Sequence, residues 1–289
     1  MSFISQEAVR VVNTIIDIIN IIVLFGIFIH ACFKLNRSHE KKVFLILLSA
    51  AFAYNLGDMA NWTCEGFAHP WNVPVLHIFT FMSFVAGPLI YVIFMRLVRV
   101  SYKDKFESNK YYFLCLFSCG LSVLMGFLSC FPGFLYYFDA NNVYHRTQFH
   151  IIVSINTLLY YLFSILYICS CRKKISKKEF LILLSFPSFP VLMYVPQIVM
   201  YGIATLNVGI TISILIIYKA VLRKMKLEIV NSKKSFTSEF FVKQNVTFWE
   251  RIRRGVFYYG YSEGAINSVK QELSENVAYM LKFLSLCVV

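Results

Sequence analysis

Residues 172–178 read RKKISKK, five cations in seven positions. They lie between two stretches, 149–171 and 179–203, that are almost entirely apolar. A cluster of this kind inside a soluble core would be prohibitively costly to bury. Between two membrane crossings it is an anchor that stays on one aqueous side. The fold class therefore depends on whether similar clusters recur, and whether they alternate with connections that lack them.

They do. Apolar runs of spanning length occupy 11–33, 43–62, 73–97, 111–131, 149–171, 179–203 and 206–224. A bilayer core about 30 Å thick requires about 20 such residues per helix. Lys and Arg number four in 34–42 (KLNRSHEKK), five in 96–110 and five in 172–178. The segments 63–72 and 204–206 have none, 132–148 has only Arg146, and the N-terminus has only Arg10. Basic connections remain cytoplasmic. The reading is an all-α polytopic membrane protein, a seven-helix transmembrane bundle with its N-terminus outside and its C-terminus cytoplasmic, set in the cell membrane. Trp62 and Trp71 flank an outer connection, where interfacial indoles are expected.

The composition agrees. The chain is 58% hydrophobic, 17% aromatic and only 15% charged, against about 25% charged in soluble domains. Its net charge of +13 does not point to nucleic acid, because the cations sit in short clusters between apolar runs. The partner implied is the lipid bilayer. The opening MSFISQEAVR lacks the small-residue cleavage site of a signal peptide. Eight cysteines mostly fall in or beside spans, where a thiol packs as a small apolar group. Cys64 and Cys130 are both outer, and their pairing is left open.

Polar groups within the spans are costly and usually face a partner or a cavity. Asn13, Asp17 and Asn20 share one face of the first span, and Asn55, Asp58 and Asn61 share one face of the second. His77 lies near the start of the third span, Asn156 in the fifth and Gln197 in the sixth. In the deduced orientation nearly all fall in the outer half. One reading is interhelical hydrogen bonding. The other is an outward-opening pocket lined by Asp17, Asn20, Asp58, His77 and Gln197, for an unidentified small extracellular ligand. The connection FLYYFDANNVYHRTQFH (134–150), with Asp139, Asn142, His145 and Arg146, would lie over its mouth. A histidine facing two carboxylates also suits proton sensing. Pro187, Pro190 and Pro196 in the sixth span, and Pro88 in the third, imply bends.

No phosphate loop, zinc-protease motif or nucleophile elbow occurs in the sequence. No enzyme activity, cofactor or metal is implied. Three stretches carry a resemblance: YYFDANNVYHR (136–146), NLGDMANWTCEG (55–66) and FPSFPVLMYVPQIVMYGI (186–203). They resemble a seven-helix sensory module found at the N-terminus of bacterial, Firmicutes-type membrane diguanylate cyclases and histidine kinases. The resemblance covers about residues 1–225. It implies a receptor-like input domain whose last helix passes a shift inward to a cytoplasmic partner, or across a homodimer. Residues 226–289 depart from that pattern, with no GG(D/E)EF sequence and no phosphoacceptor box. They read instead as a basic cytoplasmic tail, suited to anionic lipid. It ends in an apolar segment (276–289) reaching only about 20 Å, short of a full crossing, and is expected to be the start of an incomplete span. The rival readings are a eukaryotic-style seven-helix receptor, for which the Asn-Pro-x-x-Tyr pattern is missing, and a small permease, for which an internal repeat is missing.

Overall fold

The computed structural model describes residues 6–35, 38–67, 72–102, 110–129, 133–199 and 203–224. The chain divides into two compact units, Met1–Met225 and Lys226–Val289. The second unit, with its basic stretch and apolar end, lies outside the described residues, and so does Cys130 of the open Cys64–Cys130 pairing.

The first unit is mostly helical. Its helices are α1 (Gln6–Lys34), α2 (His39–Cys64), α3 (Asn72–Ser101), α4 (Lys110–Ser129), α5 (His150–Ser170), α6 (Lys177–Val199) and α7 (Thr205–Lys224). Six of them, all but α6, are long and apolar enough to cross a membrane. The described side chains of α6 stop short of its Gln197–Val199 end. Each helix from α1 to α5 packs against its successor, and α3 also meets α5; α7 meets α6 where the Thr205 hydroxyl donates to the Met193 carbonyl. α3 and α7 are the most enclosed helices.

Capping explains where the helices begin and end at the basic face. Ser38 starts α2 by accepting the Lys41 amide on its hydroxyl, which satisfies one of the free N–H groups of the first turn. The Lys41 ammonium then reaches back to the end of α1, donating to the Cys32 carbonyl at 2.7 Å and the Leu35 carbonyl at 3.0 Å. After the 3-10 turn Arg172–Lys174, Ser176 and Glu179 form a reciprocal capping box. The Ser176 amide donates to Glu179 Oε2 and the Glu179 amide donates to Ser176 Oγ, the arrangement that S-x-x-E specifies.

Burial follows an inverted pattern. On α1 the buried stripe is Asn13, Asp17, Asn20, Leu24, Ile27 and Ala31, while Val11, Ile15, Ile18, Ile22, Phe25, Ile29 and Phe33 face outward. α4 and α5 likewise expose Phe117, Phe127, Ile155 and Leu158. Water would disfavour so large an apolar exterior, whereas lipid solvates it. The interior toward the basic end is aromatic. Phe94 stacks on Phe186 at 3.9 Å, and Tyr91 meets both Tyr160 and Tyr161. Leu47, Leu48, Ile90 and Ile214 fill between them. Helices approach closely where side chains are small. A methyl group on Gly57 would stand 2.6 Å from Ser83 Oγ and 3.0 Å from the Phe79 carbonyl, so α2 and α3 touch there through their backbones. α3 runs on through Pro88, and α6 through Pro187, Pro190 and Pro196, as continuous helices.

The all-α expectation needs one correction. In place of an irregular connection between α4 and α5 stands an antiparallel hairpin, β1 (Tyr136–Phe138) and β2 (Tyr144–Arg146). Its register pairs Tyr136 with Arg146, Tyr137 with His145 and Phe138 with Tyr144. Burial alternates at the start of β1, with Tyr136 buried and Tyr137 exposed, as suits a two-faced strand. Asp139 and Asn142 close the turn: Asn142 takes a positive φ of 59°, a conformation that Asn tolerates better than most residues.

Candidate functional site

The polar stripes of α1 and α2 meet at the end of the bundle away from the basic connections, and α7 joins them. As α7 begins, the Ala204 amide donates to Asn13 Oδ1 at 2.8 Å. One turn later, Asn207 Nδ2 donates to Asp17 Oδ1 at 2.5 Å and to Asp58 Oδ2 at 2.7 Å. Ionised carboxylates only accept hydrogen bonds, so the amide must present both N–H groups, one to each. Three helices are thereby tied at one point by a single side chain. Asn207 is 1% exposed and Asp17 is fully buried. Asn61, a turn nearer the end of α2, accepts the Thr80 hydroxyl of α3 at 3.1 Å. The Trp62 indole N–H faces Asp58 without closing a hydrogen bond of normal geometry.

One turn deeper the same three helices carry Asn20, Asn55 and Thr211, all buried. Asn55 Nδ2 donates to the Ala51 carbonyl of its own helix at 2.8 Å. Among the described residues, Asn55 Oδ1, Asn20 Nδ2, Thr211 Oγ1 and the second oxygen of Asp17, Oδ2, have no hydrogen-bond partner.

The hairpin covers this end through aromatic contacts. Leu135 and Tyr136 are fully buried. Tyr136 stacks on Phe84 of α3, and its hydroxyl meets His77 Nδ1 at 3.2 Å. Phe138 packs edge-on against the same imidazole at 4.9 Å. His77 thus belongs to the seat of the hairpin, in contact with Tyr136 and Phe138. Asp139 serves the turn: Oδ1 accepts the Asn141 and Val143 amides, each at 2.9 Å, and Oδ2 accepts His145 Nε2 at 2.9 Å. The bond from His145, with the backbone N–H groups, holds the Asp139 carboxyl below its usual value of 3.8. Asn142 reaches sideways, donating from Nδ2 to the Phe67 carbonyl and accepting the Gly66 amide at 3.1 Å. Arg146 is exposed, yet its guanidinium lies close enough to act electrostatically on Asp58.

Of the expected lining residues, then, Asp17 and Asp58 come together, Asn20 lies one turn below them, and Arg146 approaches from the hairpin. Asp139, Asn142 and His145 shape the hairpin and its anchorage. Gln197 is part of α6, but its side chain lies outside the described residues.

Two residues that hold this end together were not foreseen. Asn207 sits at the second position of the expected seventh span, where an uncertain boundary hid its depth. Glu65 clamps the hairpin from the α2–α3 connection: Oε1 accepts the Tyr144 amide at 2.9 Å, while its carbonyl accepts Arg10 Nη1 at 3.2 Å. Burial pushes the Glu65 carboxyl up, opposed by the Tyr144 amide and the Arg10 charge. Arg10 also stands over the Phe67 ring at 5.1 Å. No group of three or more His, Cys, Asp or Glu side chains among the described residues could hold a metal ion. Comparison with protein families, curated proteins and solved structures gave no match.

Proposed function

We propose that this chain is a seven-helix sensor of the cell membrane, with α6 as the seventh crossing and the N-terminus and hairpin outside. A small ligand acting at the Asp17–Asn207–Asp58 cluster beneath the hairpin shifts α7, and the shift reaches a cytoplasmic partner or a second copy of the chain. The confinement of basic residues to alternate connections supports the orientation, and the resemblance to bacterial sensory modules supports the class.

The observation that carries the reading is that α7 is fastened at both ends to the same helix. At the hairpin end Asn207 holds Asp58 of α2. At the basic end the Lys224 ammonium pairs with Glu40 of α2 at 3.5 Å and donates to the Ser101 carbonyl at 2.5 Å. Between them Tyr218 bonds His30 and stacks on Phe44. Signalling requires an element that both sites bias, and a rigid helix with contacts at each end meets that requirement. Buried carboxylates and side-chain amides, gathered in the hairpin half of the described helices, favour sensing over transport, which needs them through its depth.

Two measurements test this. In intact cells an impermeant thiol reagent is expected to label Asn141→Cys and spare Lys177→Cys; the opposite result overturns the orientation. The second uses the full chain with Cys32, Cys64 and Cys169 changed to Ser and spin labels at Arg172→Cys and Lys219→Cys. There, Asp58→Asn is expected to shift the label-to-label distance at the basic end. An unchanged distance reduces the cluster to packing.

A further inference from the structure

We infer that the interior of the bundle holds a binding site for a hydrated small monovalent cation, formed between Asp17 of the Asn207 bridge and Asn55 and Thr211 one turn below it. This rests on the reading of the polar end as the sensory one, and it names a chemical class of ligand for it.

The argument starts from unmet valence. Buried polar atoms in native proteins almost always have partners, and an exception calls for a bound water or ion. Among the described residues seven such atoms occur; besides Trp62 Nε1 and the Tyr91 and Tyr161 hydroxyls, four gather on three helices that touch one another: Asp17 Oδ2, Asn55 Oδ1, Thr211 Oγ1 and Asn20 Nδ2. Asn20 follows Asp17 by three residues, Asn55 precedes Asp58 by three, and Thr211 follows Asn207 by four. α2 runs antiparallel to α1 and α7. All three side chains therefore fall at one level, about 5 Å further into the bundle than the bridge. Three of the four thus share a level, and the fourth, Asp17 Oδ2, belongs to the bridge one turn above them.

Their chemistry is selective. Three are oxygen acceptors (a carboxylate, an amide carbonyl and a hydroxyl), the donor set that hard cations take. The fourth is an N–H donor, which an ion cannot satisfy but a water bound to that ion can. One hydrated cation answers all four.

Charge fixes the valence. The charged groups facing this region are Asp17 and Asp58, with Arg146 acting on Asp58; the phenols of Tyr54 and Tyr160 border them. Asp58 takes the Asn207 amide, with Arg146 a weaker influence, whereas Asp17 takes that amide on one oxygen and has no hydrogen-bond partner on the other. The cation takes the place of a proton on Asp17, one positive charge for one carboxylate. Divalent calcium requires six to eight oxygens, more than this level presents.

The test uses the full chain in lipid nanodiscs, unfolded thermally at pH 7.5 in sodium, potassium or N-methylglucamine chloride at equal ionic strength. A cation that binds only the folded state raises the midpoint in a saturable way. The expected result is a rise on the order of 5 °C in sodium or potassium over N-methylglucamine. Asp17→Asn should abolish it, and Thr211→Val should raise the half-saturating concentration about tenfold, a factor worth 1.4 kcal/mol. Should Asp17→Asn fail to fold, Thr211→Val alone decides. Equal midpoints in all three salts overturn the site. So does a midpoint that rises on acidification but ignores the cation, which would assign the unmet valence to a proton and water. A cation-dependent midpoint with no change in the α7 spin-label distance keeps the site and rejects the sensor. The converse pair of results keeps the sensor and rejects the site.

Discussion

The two ends of this bundle use the same helices under opposite rules. Along α1, the buried positions change from Asn13, Asp17 and Asn20 to Leu24, Ile27 and Ala31 with no break in the helical spacing. At the basic end, cohesion is mainly close packing of Phe44, Leu47, Phe94 and Phe186, with a few polar contacts such as Tyr218 to His30 and Tyr167 to the Met95 carbonyl. At the hairpin end it comes from directional bonds, Asn207 to two carboxylates and the Ala204 amide to Asn13. Packing in lipid gains only dispersion, because the tails are as apolar as the core, yet it is tolerant and uniform. Hydrogen bonds in the same medium are geometrically demanding, and several buried polar atoms at this end are left without one.

Three changes break or sharpen that contrast. The largest is Phe94→Ala, which removes the ring stacked on Phe186 and should cost about 3 kcal/mol of stability. Measured by thermal unfolding, this loss should be independent of salt composition. Asn207→Ala comes next. It leaves Asp17 and Asp58 without their shared donor and should cost about 2 kcal/mol. In a double-mutant cycle with Asp58→Asn, the two losses should fall short of additivity, since both act on one bond. Additive losses would show that Asn207 works by packing, as Phe94 does.

The smallest concerns the hairpin turn, where Asp139→Ala should speed hydrogen exchange at the Asn141 and Val143 amides and leave global unfolding unchanged. The Asp139 carboxyl is held below 3.8 by His145 and the turn amides. Its contribution is therefore full above that pH and disappears as pH falls through the lowered value. Wild-type exchange at those amides, corrected for the intrinsic pH effect, should converge on that of the variant under acid.

The helices and the one-sided placement of polar groups were legible because both rest on spacing. Asn13, Asp17 and Asn20 lie on one face wherever α1 is placed, and the spans expected at 149–171 and 206–224 match α5 and α7 to within a residue. Which faces meet was less legible. α3 is apolar on all sides, so nothing in its sequence sets the rotation that turns His77 toward Tyr136. The hairpin was missed for a related reason: three-residue strands are too short for a period of two to stand out from a run of aromatics. The Ser176–Glu179 capping box was readable in ISKKE, and it marks the start of α6 more sharply than hydropathy does.

Lys41 illustrates how one side chain can serve two purposes. Its ammonium adds to the cluster of cations in the first connection, and it also closes the carbonyls at the end of α1. An orientation assay that reverses charge at this position would fray the helix it was meant to report on. Lys42, whose ammonium has no such bond among those described, is the cleaner position for recoding the insertion signal.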